Sequence, residues 1–303
     1  MMGVARQAPL RGELKYHEPM AACTSWRVGG PADRCYRPAD LDDLVVFMQS
    51  LPAEEPVYWI GLGSNLLVRD GGIRGSVILP FSGLNTLSLV ETGHVRVGAG
   101  VTCAKVARFC ARAGLVGAEF LAGIPGTMGG ALAMNAGAFG GETWSLVSQV
   151  QTITQAGELQ TREPHDYEIS YRSVTGPQRE WFVSADLTLQ RGDGRMAEQQ
   201  IRTLLEQRNT SQPTRQPSCG SVFRNPADDY AARLIESCGL KGRRIGHAQV
   251  SDKHANFIIN LGQASARDIE DLILTVQAEV RKKTGIKLQP EVRIVGEKTG
   301  ADS

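Results

Sequence analysis

The chain has almost no excess of charge of either sign: 33 Lys and Arg face 32 Asp and Glu over 303 residues, a formal net charge of +1. That balance gives no electrostatic case for nucleic acid or an anionic membrane, partners that select strongly basic surfaces. Paired cysteines are also missing. The six, at 23, 35, 103, 110, 219 and 238, form no C-x-x-C and have no histidine at zinc-site spacing, so neither a metal centre nor a disulfide framework is expected. Scattered thiols without a signal-peptide core in residues 1–20 read as reduced and cytoplasmic. The strict phosphate-binding signatures are absent too. Leu66 and Cys103 stand where two G-x-G turns would need a third glycine for G-x-G-x-x-G, and no G-x-x-x-x-G-K-[ST] occurs.

The sharpest absence is local. From Phe120 to Gly141 the chain runs 22 residues without a charged side chain, as FLAGIPGTMGGALAMNAGAFGG, and seven of these are glycine. No Lys or Arg occurs between Ala113 and Thr161. A transmembrane helix would explain the length, but glycine and Pro125 at this density weaken a helix and break its apolar face. Two readings stay open on residues alone. The segment is a tightly packed, ligand-free core element, or it is an anion site whose donors are peptide N–H groups, since it has no side-chain cation to offer.

At this length two or three domains are expected. Residues 1–23 read as a short mobile extension. In the block 24–85, Asp40 caps a helix through Gln49, VYWIGLG is a buried strand entering a glycine turn, and LLV and SVILP are short strands. The block 86–194 opens with strands at Leu87–Val90 and His94–Val97. Thr102 then caps a helix that stops at Gly114, and a hairpin turns at Ala156-Gly157 before an alternating strand over Trp181–Leu189. Residues 195–303 read as a separate domain with helices over Ala197–Arg208 and Tyr230–Ser237. Its long helix begins at Ser265 and ends before Gly285, with Ile269, Leu272, Ile273, Val276 and Val280 as its core stripe. Cys103 and Cys110 read as small buried hydrophobes.

Glycine turns follow strands at Gly61-Leu62-Gly63-Ser64-Asn65, at Gly98-Ala99-Gly100 and at Gly123-Ile124-Pro125-Gly126-Thr127-Met128-Gly129-Gly130. The first and last add Ser64, Asn65 and Thr127 as donors, a set suited to a pyrophosphate wrapped by peptide N–H groups. GLGSNLLV (61–68), FLAGIPGTMGGALAMNAGAFG (120–140), YEISYRSV (167–174), QPSCGSVFRNP (216–226) and PEVRIVG (290–296) follow one another in order. Together they resemble the UDP-N-acetylenolpyruvoylglucosamine reductase (MurB) family over about residues 24–296.

The resemblance implies an α+β fold: a two-lobed FAD-binding module of the vanillyl-alcohol-oxidase/p-cresol-methylhydroxylase (PCMH) type over 24–194, then a C-terminal α+β substrate domain. It implies noncovalent FAD, NADPH as cosubstrate, a small-molecule UDP-sugar as substrate and a monomer or weak oligomer. The flavin loops would be Gly61, Gly63, Ser64, Asn65 and Leu66 with Gly123, Ile124, Pro125, Gly126, Thr127, Gly129 and Gly130; Asn135, Arg208 and Arg293 would also serve the cofactor. No histidine lies between His94 and His165, which agrees with an untethered flavin.

The implied reaction reduces an enolpyruvyl ether to a lactyl ether. Hydride reaches the vinyl carbon from the flavin N5, negative charge builds on the neighbouring carbon and its carboxylate, and that carbon is then protonated. Such chemistry needs a proton donor and groups aimed at the developing charge. By the resemblance Ser221 donates the proton, Arg172 steadies the enolate and Glu291 assists protonation, while Asn225 and Arg215 bind substrate. Cys219 is expected to be a bystander. Only 48 residues separate Arg172 from Ser221, too few for the tyrosine-bearing loop some members fold over UDP, so the chain resembles the shorter type. Two rivals remain: an oxygen-using flavin oxidase of the same fold, which leaves Ser221, Arg172 and Glu291 unexplained, and a nucleotide-binding module without catalysis, which predicts no flavin absorbance.

Overall fold

The computed structural model describes residues 9–299. The chain forms two compact units: the first takes residues up to 16, 34–61 and 75–204, the second 17–33, 62–74 and 205 onward. Strand and helix alternate irregularly through both, giving an α+β protein.

The first unit is built around a five-stranded antiparallel sheet in the order Leu159–Arg162, Val147–Thr154, Glu180–Thr188, His94–Gly98, Leu87–Glu91. Helix α1 (Leu41–Ser50) starts at Asp40, whose carboxylate accepts from the Asp43 N–H. Its apolar side, Leu44, Phe47 and Met48, is buried with Tyr36, Ile78, Ile153 and Val183. Tyr36 stacks on Phe47 at 3.9 Å, and its hydroxyl donates to Asp43 at 2.5 Å. Helix α2 (Cys103–Arg112) is capped by Thr102 and releases the chain at Gly114, whose φ of +68° suits glycine. Cys103 and Cys110 are fully buried on it.

The amino-terminal stretch departs from the mobile extension expected. Among its described residues, Glu13–Pro19 form a strand at the edge of a four-stranded sheet, and Met20–Cys23 make a 3₁₀ turn. The Arg11 N–H donates to the Asp43 carboxylate at 2.7 Å, and Gly12 passes so near the Arg37 carbonyl that a Cβ would lie 2.3 Å from its oxygen. ELKYHEP mixes charge with isolated apolar residues, the pattern of an edge strand with one wet face, and offers little periodicity to read.

The second unit gathers its core around α6 (Ala266–Thr284). Ser265 and Asp268 form a reciprocal capping box at its start, and Gly285 ends it at φ +78°. The expected stripe of Ile269, Leu272, Ile273, Val276 and Val280 is buried, joined by Leu234 and Ile235 of α5 (Ala231–Ser237) and by Trp26 and Leu67. The Trp26 indole N–H donates to the Ile258 carbonyl at 2.7 Å. A three-stranded antiparallel sheet (Arg244–Ile245, Ala248–Val250, Ile258–Asn260) covers one side. Arg293–Val295 pairs in parallel with Leu66–Val68. That pairing joins strands more than two hundred residues apart, and nothing in either three-residue run announces its partner.

Arg69 grips Glu270 of α6 with two hydrogen bonds of 2.9 Å, and this contact holds the carboxylate below its usual pKa. A depressed carboxylate adds stability above its unfolded pKa and loses it as pH falls through the folded one. Glu270→Gln is therefore expected to lower stability at neutral pH by about 1–2 kcal/mol, a charged hydrogen bond discounted for partial exposure. It should also flatten the loss of stability on acidification below roughly pH 4–5. Denaturant melts of both proteins from pH 3 to 7 check this; parallel pH curves would show that the pair adds nothing.

Among the described residues no helix is long and apolar enough to cross a membrane, and no group of His, Cys, Asp and Glu is placed to hold a metal.

Candidate functional site

The charge-free run folds as a 3₁₀ turn (Glu119–Gly123), the six-residue helix α3 (Met128–Ala133) and a small antiparallel pair, Gly137–Ala138 with Gly141–Glu142. It is neither a long helix nor an open loop. Thr127 caps α3, accepting from the Gly130 N–H at 3.5 Å. The N–H groups of Met128 and Gly129 donate to the carbonyls of Val101 (2.8 Å) and Ala99 (2.9 Å). A Cβ on Gly129 would lie 2.9 Å from the Ala99 Cβ, so this glycine lets α3 lie directly on its neighbour. The Ile124 N–H goes to Leu121, and Pro125 has none. That leaves the peptide N–H groups of Gly126 and Thr127 without an acceptor among the described residues. Gly61 comes up against the same point, where a Cβ would stand 2.5 Å from the Thr127 hydroxyl. The peptide donors that this segment could offer a ligand are thus fewer than its sequence implies, because the N–H groups of Ile124, Met128, Gly129 and Gly130 are taken up within the protein.

Arg172 sits in the first unit, on the two-residue turn of a hairpin that pairs Glu168–Ser170 with Ser173–Thr175. Its φ is +54°, a left-handed conformation costing a non-glycine residue about 1–2 kcal/mol. The guanidinium reaches into the glycine-rich segment. Nη2 donates to the Gly137 carbonyl at 2.6 Å and Nη1 to the Asn135 carbonyl at 3.4 Å. Its carbon lies 5.1 Å from the centre of the Tyr171 ring. The arginine is half-buried, and two backbone carbonyls take part in setting its direction.

Ser221, Asn225 and Glu291 sit in the second unit, with Asn65. Gly220 precedes Ser221 at φ +68° with nothing within 4 Å of an added Cβ, so glycine is there for its backbone angle and not for space. The chain after Ser221 is fixed on two sides. Asn256 accepts the Val222 N–H at its carbonyl (2.9 Å) and clamps Phe223 with its side chain, accepting at 3.0 Å and donating at 2.8 Å. Opposite, the Glu291 N–H donates to the Val222 carbonyl at 2.7 Å, and the Arg224 N–H to Gln289 at 2.9 Å. Ser221 and Glu291 are thereby brought together, one residue removed from a direct backbone hydrogen bond. The Asn65 side chain donates to the Glu291 carbonyl at 3.0 Å, and the Arg293 N–H donates to the Asn65 carbonyl at 3.1 Å. Asn65 thus ties the first glycine loop to the segment that runs from Glu291 into the strand Arg293–Val295.

The remaining expected residues are more dispersed. Asn225 is exposed and its side-chain oxygen accepts from the Ala231 N–H at the start of α5. Arg208, in the last turn of α4 (Gly194–Ser211), is half-buried and donates to Gln212 at 3.2 Å. No carboxylate pairs with it among the described residues, and burial lowers its pKa. Arg215 and Arg293 are exposed. Cys219 is buried, with its thiol against the carbonyls of Leu66 (3.3 Å) and Gly63 (3.4 Å), and burial pushes its pKa up to about 12. A thiol so held is not a thiolate nucleophile. Sequence reasoning missed Asn256 and Glu142 as bracing residues, because a lone amide or carboxylate has neither spacing nor periodicity to mark it.

Two family models match the chain: an FAD binding domain over residues 32–162, and the C-terminal domain of UDP-N-acetylenolpyruvoylglucosamine reductase over 212–295. The UDP-N-acetylenolpyruvoylglucosamine reductase of Methylococcus capsulatus is 60% identical over 96% of this chain and 95% of its own length. That of Nitrosococcus oceani is 59% identical over 98% and 99%. Among solved structures, the UDP-N-acetylenolpyruvylglucosamine reductase (MurB) of Thermus caldophilus superposes with a TM-score of 0.81 at 33% identity, covering 94% of this chain and 98% of that one.

Proposed function

The chain belongs to the UDP-N-acetylenolpyruvoylglucosamine reductase family, and from that premise we propose that it reduces UDP-N-acetylglucosamine enolpyruvate to UDP-N-acetylmuramate, with NADPH as reductant, in peptidoglycan precursor synthesis. Its architecture is a PCMH-type FAD-binding module followed by the family's C-terminal domain. The residues present fit a flavin dinucleotide. In the first unit, glycine at 61 and the N–H groups of Gly126 and Thr127 leave an uncharged, donor-lined surface that any side chain at 61 would fill. In the second, Arg208 is a half-buried cation without a carboxylate, an arrangement that suits an anionic partner.

Bound FAD supplies the two-electron relay between NADPH and the carbon–carbon double bond of the substrate. The protein's own part is to meet the charge and deliver the proton. As negative charge grows on the α-carbon and carboxylate, Arg172 offers a permanently charged guanidinium already oriented by two carbonyls. Ser221 transfers its hydroxyl proton to the α-carbon, and Glu291 supports that transfer from the neighbouring segment. NADPH gives up hydride and one proton is consumed, so the C=C bond gains two hydrogens and NADP⁺ leaves. The observation that supports this assignment is the 2.7 Å hydrogen bond from the Glu291 N–H to the Val222 carbonyl, which ties the segment of Glu291 to the residue after Ser221.

Substrate contacts by Asn225 and Arg215, and flavin contacts by Arg293, complete the proposed site. The six free cysteines favour the cytoplasm, and a UDP-sugar is the only partner this reading requires. Anaerobic NADPH should bleach the flavin absorbance of the purified protein, and the enolpyruvyl sugar should restore it far faster than air. Protein without flavin absorbance, or reoxidised by oxygen as readily as by the sugar, would overturn the reading in favour of the binding module or the oxidase respectively.

A further inference from the structure

Asn135 is 1% exposed and adopts φ +45° in the middle of the glycine-rich run. A residue so buried and so strained is held by something, and its partners are explicit. The side-chain N–H₂ donates to the Glu142 carboxylate at 2.9 Å and to the Ser170 carbonyl at 3.2 Å. The side-chain oxygen accepts the Trp144 N–H at 3.1 Å. Both amide hydrogens are therefore engaged within the protein, and the group has no donor left for a bound ligand. Its main-chain carbonyl meanwhile receives Arg172 Nη1, two residues before the Gly137 carbonyl that receives Nη2.

These contacts converge on one side chain. Ser170 is the residue before the Tyr171–Arg172 turn, so the Asn135 amide fixes the root of the hairpin from which Arg172 springs. The backbone of the same residue, with Gly137, fixes where the guanidinium ends. We propose that Asn135 is a positioning residue for Arg172: its amide ties the 168–175 hairpin to the glycine-rich segment so that the guanidinium is already aimed when the enolpyruvyl substrate arrives. This rests on the role assigned to Arg172 above.

The proposal separates the half-reactions. Asn135→Gly keeps a left-handed backbone accessible while deleting the amide. The Asn135→Gly holoenzyme should accept hydride from NADPH at nearly the wild-type rate, but its limiting rate of reoxidation by UDP-N-acetylglucosamine enolpyruvate should fall about ten-fold, the scale of one misdirected charged hydrogen bond. In an Arg172→Ala background the same substitution should slow reoxidation no further, since the residue it positions is gone. A general structural defect would slow both half-reactions and would persist in the double variant.

Reoxidation of Asn135→Gly at the wild-type rate overturns the proposal, and so does an additive loss in the double variant. A folded Asn135→Gly protein with a wild-type melting temperature but no FAD also overturns it, in favour of a direct flavin contact. If Asn135→Gly does not fold, Glu142→Ala carries the test. It frees one amide hydrogen of the buried Asn135, and its reoxidation should slow about three-fold with reduction unchanged; unchanged reoxidation would sink the idea. Wild-type reoxidation of Arg172→Ala alone would instead refute the role of Arg172, a result distinguishable from failure of the Asn135 proposal.

Discussion

Ser221→Ala is expected to retain FAD and be reduced by NADPH like the wild type, then to be reoxidised by the enolpyruvyl sugar about 10²–10⁴-fold more slowly, the usual worth of a positioned general acid. On the proposed mechanism the two half-reactions make different demands on Ser221. Reduction by NADPH requires no proton at the sugar's α-carbon, so removing one hydroxyl should leave it intact. Reoxidation places negative charge beside a carboxylate, where it reverts unless a proton arrives. An alkyl hydroxyl is a weak acid, and Ser221 acts as one only if its surroundings favour proton loss. The braces around it are consistent with that demand: Asn256 fixes the two residues after it and the segment of Gln289 and Glu291 fixes the opposite side. Alanine disturbs none of these, since all of them use main-chain atoms or the Asn256 side chain. Rapid-mixing absorbance at the flavin band separates the steps, and reoxidation of Ser221→Ala within a few-fold of wild type would remove the serine from the mechanism.

Much of the fold was legible because the sequence marks its own boundaries. Asp40, Thr102 and Ser265 cap helices where expected, Gly114 and Gly285 end two of them, and the α6 stripe is buried as its period requires. What was not legible depends on distant partners. The strand at Glu13–Pro19 and the pairing of Leu66–Val68 with Arg293–Val295 carry weak local patterns and exist through their neighbours. The helix over Ala197–Arg208 runs three residues further at each end, to Gly194 and Ser211, because terminal turns tolerate residues that periodicity does not count.

The site divides along the same line. Motif order brought Ser221, Glu291 and Arg172 forward, but composition could not say which N–H groups of the glycine-rich run were available. A charge-free segment with seven glycines is compatible with a cradle made wholly of peptide donors. In the structure Met128 and Gly129 instead satisfy the carbonyls of Val101 and Ala99. Backbone donors are placed by tertiary neighbours and leave no trace in residue type. The glycine run is therefore a close-packed element at Gly129, and its peptide donors to a phosphate narrow to Gly126 and Thr127 in the reading proposed above.

The second large effect is expected at Arg172. Arg172→Ala should lower the limiting rate of reoxidation by about 10²–10³-fold, the usual loss when one preorganised donor to a developing oxyanion is removed. Reduction by NADPH should be unaffected. Arg172→Lys should recover only a small part of that loss. A lysine retains the charge but presents a single ammonium, which cannot hold the Gly137 and Asn135 carbonyls and also lie flat against a carboxylate. The turn conformation makes Arg172→Gly the more informative variant. Glycine relieves the left-handed strain at φ +54°, worth about 1–2 kcal/mol, against the loss of the guanidinium's contacts, those to the Gly137 and Asn135 carbonyls among them, so stability should change little while reoxidation falls as far as in Arg172→Ala. An arginine that serves folding would show the reverse, with Arg172→Gly markedly less stable and the surviving holoenzyme turning over normally. Strain kept at a residue whose removal leaves the melting temperature unchanged but slows reoxidation by about two orders of magnitude or more would place Arg172 among positions where conformation is maintained for chemistry.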